Sequence, residues 1–335
     1  MRSASATAPL HITGLFEPVY HRDWRRTGSR GAGLALLPGV ETTVLPARRT
    51  RVYLDGRPVA ERGGGERRRW PGRPVAERGG GERRRWPGRP VAERGGGERR
   101  RWPGRPSRAP TTRRVVELLA PGPVEVRTRL PAPAGAGLGT SGAGALSTAR
   151  AIDRAFGLRL PPRDLVAAAH RAEVENRTGL GTVAGVAGGG LTLRLAPGIG
   201  SGALRSFPIP ARIAWVVLGG LSTPRILSDP AWNRIIRREG RRSLRGLLRR
   251  PTLRRFMEES RRFALETGLA QGRTLDALEA VEGAGGLGSV AMLGRTLFAV
   301  STPAVREALS EFGPVRESRI SPVYSILRPL GKQRA

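Results

Sequence analysis

The chain has 335 residues, and a composition that is 39% apolar and 26% charged can supply a hydrophobic core, which excludes a wholly disordered protein. It contains no cysteine, so disulfides, thiolate metal sites and cysteine nucleophiles are excluded. The formal net charge is +32, and every basic residue except Lys332 is arginine, so nucleic-acid binding has to be weighed against the motifs.

The first half of the chain is predicted to alternate strands and helices. Short runs rich in β-branched residues predict four strands, at Val40–Leu45, Arg51–Leu54, Val115–Leu119 and Val124–Arg129. A glycine-rich turn at 134–139 precedes a predicted helix from about Ser141 to Phe156. A second helix is predicted from Pro161 to about Asn176, because proline suits a first helical turn. The small-residue stretch Gly179–Gly190 then leads into a strand at Leu191–Leu195.

A sixteen-residue unit at 56–71 recurs without change at 72–87 and 88–103. Each copy has a net charge of +3, so the three copies account for +9 of the +32. Each copy contains one bulky aromatic residue, a GGG triplet and two prolines, and cannot form an apolar face. We therefore predict a solvated, disordered loop over 56–106. An arginine-rich RNA-binding tail is disfavoured, since no phenylalanine or tyrosine interleaves with the arginines.

A proline-bearing linker near 197–210 marks the predicted boundary between two domains, 1–200 and 201–335. Strands are predicted beyond it at Ile213–Leu218, 288–293, 296–300 and 315–320. Helices are predicted at 230–248, 251–267 and 303–312. The order of strand, helices, two strands, helix and strand predicts an α+β sandwich of the ferredoxin-like kind.

The run Pro133–Ser141 lies between a predicted strand and a predicted helix, with glycines at 135, 137 and 139. Glycines at alternate positions let backbone N–H groups turn towards an anion, and a helix start adds the positive end of its dipole. Thr140 and Ser141 offer hydroxyls to a phosphate oxygen or to Mg²⁺. The run lacks the Gly-Lys-Ser/Thr ending of a Walker A loop. From glycine spacing alone, a nucleotide loop and a structural turn both remain open.

The same run resembles the central phosphate motif of the GHMP kinases, a superfamily that includes homoserine and mevalonate kinases. Residues 9–16 with 27–33 look like its first motif, and 283–294 occupy the place of its glycine-rich third motif. Within the superfamily, residues 11–14, 28–33, 169–174, 178–181, 292–294 and 298–299 look like the archaeal pantoate kinases. The resemblance implies an α+β GHMP kinase fold. Its N-terminal domain would be like the second domain of ribosomal protein S5, and its C-terminal domain ferredoxin-like.

The resemblance also implies ATP and Mg²⁺ as cofactors and pantoate as the acceptor. The implied ATP-binding residues are Pro133, Gly135, Gly137, Leu138, Gly139, Thr140 and Ser141. The implied catalytic residues are Ser141, Glu173 and Thr182, with Ser141 and Glu173 also as metal ligands and Glu175 as the alternative carboxylate. The implied substrate-binding residues are Ser29, His170 and Arg194. Arg194 is suited to grip a carboxylate with two hydrogen bonds.

Thr182 is a departure from the superfamily pattern. Many GHMP kinases carry an aspartate at this position, which acts as base on the attacking hydroxyl, whereas a threonine cannot take a proton at neutral pH. Homoserine kinases also lack this base, so activity is not excluded. The proton would then go to a phosphate oxygen or leave through water.

We therefore expect an ATP-dependent kinase that converts (R)-pantoate to 4-phosphopantoate in archaeal coenzyme A biosynthesis. The alternatives are another GHMP small-molecule kinase, homoserine- or mevalonate-like, and a non-catalytic basic RNA-binding protein on the same fold. No apolar run approaches the ~20 residues of a membrane span, so we expect a cytoplasmic protein without a membrane partner. We also expect no nucleic-acid partner, and the family resemblance suggests a homodimer.

Overall fold

The computed structural model describes residues 1–59, 109–200, 204–220, 230–292 and 294–324. The predicted repeat loop at 56–106 lies almost wholly outside the described residues. The described residues belong to one compact unit, and the domain boundary near residue 200 stays a prediction. No helix in the described parts of the chain is long and apolar enough to cross a membrane.

A long antiparallel hairpin forms the centre of the N-terminal half. Strand β1, Ala4–Val19, pairs with strand β2, Gly28–Pro46, along almost their whole length. The register shifts between Thr13 and Leu15, where Gly14 lies against the Phe256 ring. Such bulges redirect the side chains beside them and are common next to binding sites.

Besides β1, strand β2 pairs with different strands in its first and second halves. Its second half pairs with β5, Val124–Arg129. Strand β5 runs parallel to β3, Arg51–Leu54, which pairs with β4, Arg57–Pro58. The first half of β2 pairs with β6, Leu191–Arg194, and β6 pairs with β7, Leu204–Phe207. This pairing places Arg194 opposite Gly31, near the turn of the central hairpin.

In the described part of this half, four helices accompany the sheet: α1, Pro110–Leu119; α2, Thr140–Phe156; α3, Pro162–Glu175; and α4, Thr182–Gly188. Helix α2 packs on both strands of the hairpin, and α1, α3 and α4 pack on α2. Most of α2 is buried, because glycine, alanine, serine and threonine at 140–149 allow it to approach its neighbours closely. The start of α2 is therefore held firmly against β1.

The second half of the chain forms an antiparallel sheet from four strands: β8, Arg212–Gly220; β9, Gly288–Val290; β10, Gly294–Val300; and β11, Arg316–Ile320. The spatial order β11-β8-β10-β9 agrees with the predicted ferredoxin-like arrangement. The helices of this half are α5, Pro230–Arg249; α6, Leu253–Glu266; α7, Arg273–Gly283; and α8, Pro303–Ser310. Strand β11 also pairs with β2, so one sheet continues through both halves.

One predicted strand is wrong, and five elements of the described chain have no counterpart among the predictions. Val115–Leu119 forms the second half of α1, because Thr111, Thr112, Val115 and Val116 are buried at helical spacing. Adjacent valines favour a strand only when no helical face is available. The unpredicted elements are β1, the first strand of the central hairpin, the two-residue strand β4, α4, which buries its glycines, α7, and β7, which lies in the predicted linker.

Candidate active site

A cleft beside the start of α2 brings together most of the predicted site residues. It contains about 690 Å³ of empty space, counting its open mouth. Strands β1, β2 and β6, the loop before α2, and residues from α3 to the start of α4 form its walls. The predicted residues that line it are Ser29, Gly135, Gly137, Gly139, Thr140, Ser141, Glu173, Thr182 and Arg194.

The glycine-rich loop has the backbone geometry that its sequence predicts. Gly135, Gly137 and Gly139 have φ angles of 82°, 88° and 63°, a region that disfavours other residues. At Gly139 space is also short, since an added Cβ would lie 2.7 Å from Cγ2 of Thr182 and 2.8 Å from the His11 carbonyl oxygen. Helix α2 begins at Thr140 with no side-chain cap. Its first N–H groups are therefore available to an anion in the cleft.

Three hydroxyls connect the start of α2 to the end of α3. The Thr178 hydroxyl donates to the Glu173 carbonyl (3.4 Å), and its oxygen lies 2.8 Å from the Thr111 hydroxyl oxygen. Thr111 lies 3.2 Å from the hydroxyl oxygen of Ser141. Either oxygen can be the donor in each of the two hydroxyl pairs. A hydroxyl oxygen has two lone pairs, so Ser141 keeps at least one for a ligand in the cleft in either arrangement.

Glu173 is the one carboxylate among the described residues that line the cleft. It is fully buried, and its Oε1 has no hydrogen-bond partner in the described structure. Burial raises the pKa of this carboxyl group to about 7, although the Val183 N–H and the Thr182 hydroxyl favour the ionised form. An added Cβ at Gly179 would lie 2.2 Å from Oε1. The glycine lets the chain pass directly over this carboxylate.

Arg194 supplies a buried positive charge to the same cleft. Its side chain is 2% exposed, and Nε and one terminal nitrogen have no partner in the described structure. Burial lowers the pKa of its guanidinium to about 10, and Glu173 opposes that shift. An added Cβ at Gly181 would lie 2.3 Å from the Ser29 hydroxyl and 2.8 Å from Nε of Arg194. Ser29 and Arg194 therefore both border the space above Gly181.

Three predicted site residues do not line the cleft. Pro133 is exposed ahead of the loop, and Leu138 is buried, with its carbonyl accepting from the His11 N–H at 3.1 Å. His170 is also buried, with Nε2 3.0 Å from the Thr27 carbonyl oxygen and its ring beside Trp24. Burial lowers the pKa of His170, so its imidazole is neutral. This geometry is that of a residue that supports the turn before Ser29.

Several cleft residues were given no role by the sequence analysis: His11, Thr13, Phe16, Thr178, Gly179, Leu180, Gly181 and Met292. His11 and Thr13 both belong to residues 9–16, the run that resembles the first GHMP kinase motif, and residues two apart on a strand share a face. That spacing could have identified the pair. Met292 comes from the other half of the chain, where its N–H donates to the Thr13 carbonyl at 3.0 Å. Only the folded chain brings it to the cleft.

The donor set of the cleft fits one hard cation held together with phosphate oxygens. No group of three or more His, Cys, Asp or Glu residues that could hold a metal occurs in the described parts of the chain. The unpartnered Oε1 of Glu173 and the Ser141 hydroxyl oxygen, with at least one free lone pair, are the oxygen ligands that Mg²⁺ prefers. A cation at such a site would take its remaining ligands from water and substrate phosphates.

Comparison with known proteins supports this interpretation. Residues 110–190 match the family model of the GHMP kinases N terminal domain. A pantoate kinase of Thermococcus kodakarensis is 33% identical over 309 residues, which covers 88% of this chain and 86% of that relative. A pantoate kinase of Methanocaldococcus jannaschii is 34% identical over 152 residues, covering 42% of this chain and 53% of the relative.

Comparison with solved structures also supports this interpretation. A structure described as a phosphotransferase related to the CoA biosynthesis pathway matches with a TM-score of 0.74 and 29% identity, over 96% of this chain and 97% of that one. Homoserine kinase from Cytophaga hutchinsonii matches with a TM-score of 0.59 and 16% identity over 96% of each chain, and so shares the fold. The predicted GHMP kinase fold is confirmed. The chain belongs to the pantoate kinase family of the GHMP kinase superfamily.

Proposed function

We propose that the protein transfers the γ-phosphoryl group of ATP to the 4-hydroxyl of (R)-pantoate, forming 4-phosphopantoate for coenzyme A biosynthesis. The observation that carries the proposal is the buried, incompletely partnered guanidinium of Arg194, which faces the same cleft as a phosphate-type loop. A buried cation without a full set of partners is destabilising on its own. A small acid with one carboxylate would supply the missing partner.

The nucleotide end of the cleft is formed mainly by backbone N–H groups. The N–H groups of the glycine loop and the start of α2 would hold the triphosphate, with Thr140 and Ser141 adding hydroxyls. Ser141 and Glu173 would hold Mg²⁺. The ion, when bound, would neutralise charge that develops on the transferred phosphoryl group.

The acid end of the cleft would orient the acceptor. Arg194 can form two parallel hydrogen bonds to a carboxylate, and the Ser29 hydroxyl borders the same space. Holding the carboxylate there would fix the direction in which the rest of the molecule, with its hydroxyl, extends towards the loop. Such positioning supplies much of the rate enhancement in phosphoryl transfer.

The basic charge of the chain has a partly structural explanation. Glu17, Glu239 and Glu259 are buried, and each forms ion pairs with arginines of α5 or α6. The pair of Arg241 with Glu17 joins α5 to β1, and the other pairs neutralise a buried glutamate within its own helix. This pairing disfavours the RNA-binding alternative, without removing it from the test.

The test is ADP release by the full chain with Mg²⁺-ATP and one of four additions: (R)-pantoate, mevalonate, homoserine or no acceptor. We expect turnover with pantoate alone, and 4-phosphopantoate as the product by phosphorus NMR. Turnover with mevalonate or homoserine alone would favour another GHMP kinase. Absence of turnover with every acceptor, together with tight, salt-sensitive RNA binding, would favour the non-catalytic alternative. The proposal includes a cytoplasmic homodimer, whose assembly state light scattering would measure.

A further inference from the structure

The proposed reaction must dispose of the hydrogen of the acceptor hydroxyl, and Thr182 offers no base for it. Two polar side chains of β1 that line the cleft have no role so far, His11 and Thr13. The His11 N–H donates to Leu138 in the phosphate loop at 3.1 Å, so this part of β1 is fixed beside the loop.

The His11 ring is held in one place by close packing. It is 1% exposed and lies between two glycines. A Cβ added at Gly33 would lie 2.4 Å from Cε1 of the His11 ring, and a Cβ added at Gly185 would lie 2.1 Å from its Nε2. Both glycines are thus needed to admit the imidazole.

The hydrogen bonds of the ring define its tautomer. The Thr192 hydroxyl donates to the Gly33 carbonyl at 3.2 Å, so its single hydrogen is not available to His11. We therefore assign the ring hydrogen to Nε2 of His11, which lies 3.3 Å from that hydroxyl oxygen and donates to it. In the neutral ring Nδ1 is then unprotonated, and it accepts from the Thr13 hydroxyl at 3.3 Å.

We propose that Thr13 and His11 together take the proton of the acceptor hydroxyl, in place of the aspartate that Thr182 replaces. The acceptor oxygen bonds to the γ-phosphorus while the bond from that phosphorus to the β–γ bridging oxygen breaks, and its electron pair leaves with ADP. The acceptor proton passes to Thr13 Oγ1, and the hydrogen of Thr13 passes to His11 Nδ1. Thr13 ends as a neutral hydroxyl and His11 as an imidazolium. This proposal rests on the proposed kinase function.

The charged group that acts on His11 is Arg194; the neighbouring strands and helix α4 present Gly33, Thr192 and Gly185 to the ring. Burial, and then the charge of Arg194, lower the pKa of His11 well below its usual value, so the ring is neutral in the ligand-free cleft. A substrate carboxylate paired with Arg194 would offset that charge. His11 would then become a better proton acceptor when an acid is bound.

The first test replaces Thr13 with valine, which keeps the shape and removes the hydroxyl. We expect kcat with pantoate to fall by about 100-fold, the usual size of a lost proton-transfer catalyst, while KM and the affinity for an ATP analogue change by less than about twofold. Thr13→Ser should retain most of kcat. The matched control is Thr42→Val, which removes a buried hydroxyl bonded to Ser147 and Thr128 away from the cleft, and should leave kcat unchanged.

The second test separates two roles of His11, accepting the proton and orienting the Thr13 hydroxyl. The amide oxygen of His11→Asn can accept from Thr13 but cannot take a proton, so we expect it to lose kcat as Thr13→Val does. Unchanged kcat in either variant would overturn the proposal, and if His11→Asn fails to fold, Thr13→Val decides alone. Nitrogen NMR of the wild type should show His11 protonated at Nε2; protonation at Nδ1 instead would also overturn it. A wild type without pantoate turnover would overturn both proposals, whereas unaffected variants of an active wild type would overturn this one alone.

Discussion

The two ends of the cleft recognise anionic groups by different physical means. The phosphate end uses backbone N–H groups, three glycines with positive φ and the start of α2. The acid end uses one buried guanidinium, Arg194, with a serine hydroxyl beside it. The phosphate end therefore depends on loop shape, which any side chain disturbs. The acid end depends on one charge, which the fold keeps away from water.

The difference explains how each end should respond to substitution. At the phosphate end the backbone N–H groups cannot be deleted by mutation, only blocked or repelled. At the acid end the binding group can be removed, and its removal also relieves a desolvated charge. Substitutions at the two ends should therefore affect nucleotide and acid separately.

The largest effect is expected for Gly139→Asp. It introduces a carboxylate where the triphosphate would lie, and its Cβ has no room beside Thr182 and His11. We expect affinity for an ATP analogue, measured by calorimetry, to fall at least about 1,000-fold, equivalent to about 4 kcal/mol. The control is Gly157→Asp at the other end of α2, where φ is also positive, at 65°. A Cβ added at Gly157 would have no atom of another part of the described chain within 4 Å. Equal affinity in the Gly139 variant and the wild type would refute the loop assignment.

Arg194→Met should weaken binding at the acid end of the cleft and leave nucleotide binding unchanged. Loss of a buried hydrogen-bonded charge typically costs about 2–5 kcal/mol, so kcat/KM for pantoate should fall by about 100-fold or more. Affinity for the ATP analogue should be unchanged. The matched control is Arg205→Met, an exposed arginine on the neighbouring strand β7. If Arg194→Met retains the wild-type KM for pantoate, the carboxylate does not bind there.

Glu173→Gln should change how stability depends on pH. The pKa of Glu173 is raised from 4.5 to about 7 in the folded protein, so the folded state binds this proton more tightly than the unfolded state. The wild type therefore loses stability as pH rises through this range, and the variant should not. We expect the ligand-free variant to be more stable by at most about 3 kcal/mol at pH ~8, and no more stable at pH ~4, by urea unfolding. Parallel stability curves would contradict the burial argument.

A smaller effect is expected at His170, and it distinguishes support of the acid end from direct contact. His170→Leu removes the hydrogen bond to the Thr27 carbonyl and should raise KM for pantoate by about tenfold, since a buried acceptor loses its donor. His170→Gln can donate to the same carbonyl and should restore most of the affinity. Failure of glutamine to rescue, with an unchanged melting temperature, would favour direct contact with the substrate.

The smallest effect is expected from deleting residues 72–103, two of the three repeat copies. The chain on either side of the block is held together, because Arg113 donates to the Val59 carbonyl at 3.1 Å. We expect unchanged kcat and melting temperature, because shortening a loop whose ends are already fixed changes little. A loss of either would show that the repeats contribute to the fold or to the reaction.

The two ends of the cleft differ in how well the sequence predicts them. The alternating glycines at 135, 137 and 139 predict the phosphate loop, because positive φ is a local requirement that glycine satisfies. The four strands of the second half follow from local apolar patterns in the same way. By contrast, the assignment of Arg194 depended on a family resemblance, since nothing local distinguishes it among so many arginines.

The sequence by itself determined the order of most elements, the anion-binding turn and the family, because these depend on local conformational preferences and on contiguous motifs. Only the tertiary structure decided that His170 lies behind the cleft, that Val115–Leu119 is helical, and that His11 and Thr13 join Arg194 and Glu173. Burial, the removal of hydrogen-bond partners and the charge on a neighbouring group arise from residues far apart in the chain. Those are the quantities that set the chemistry of this cleft.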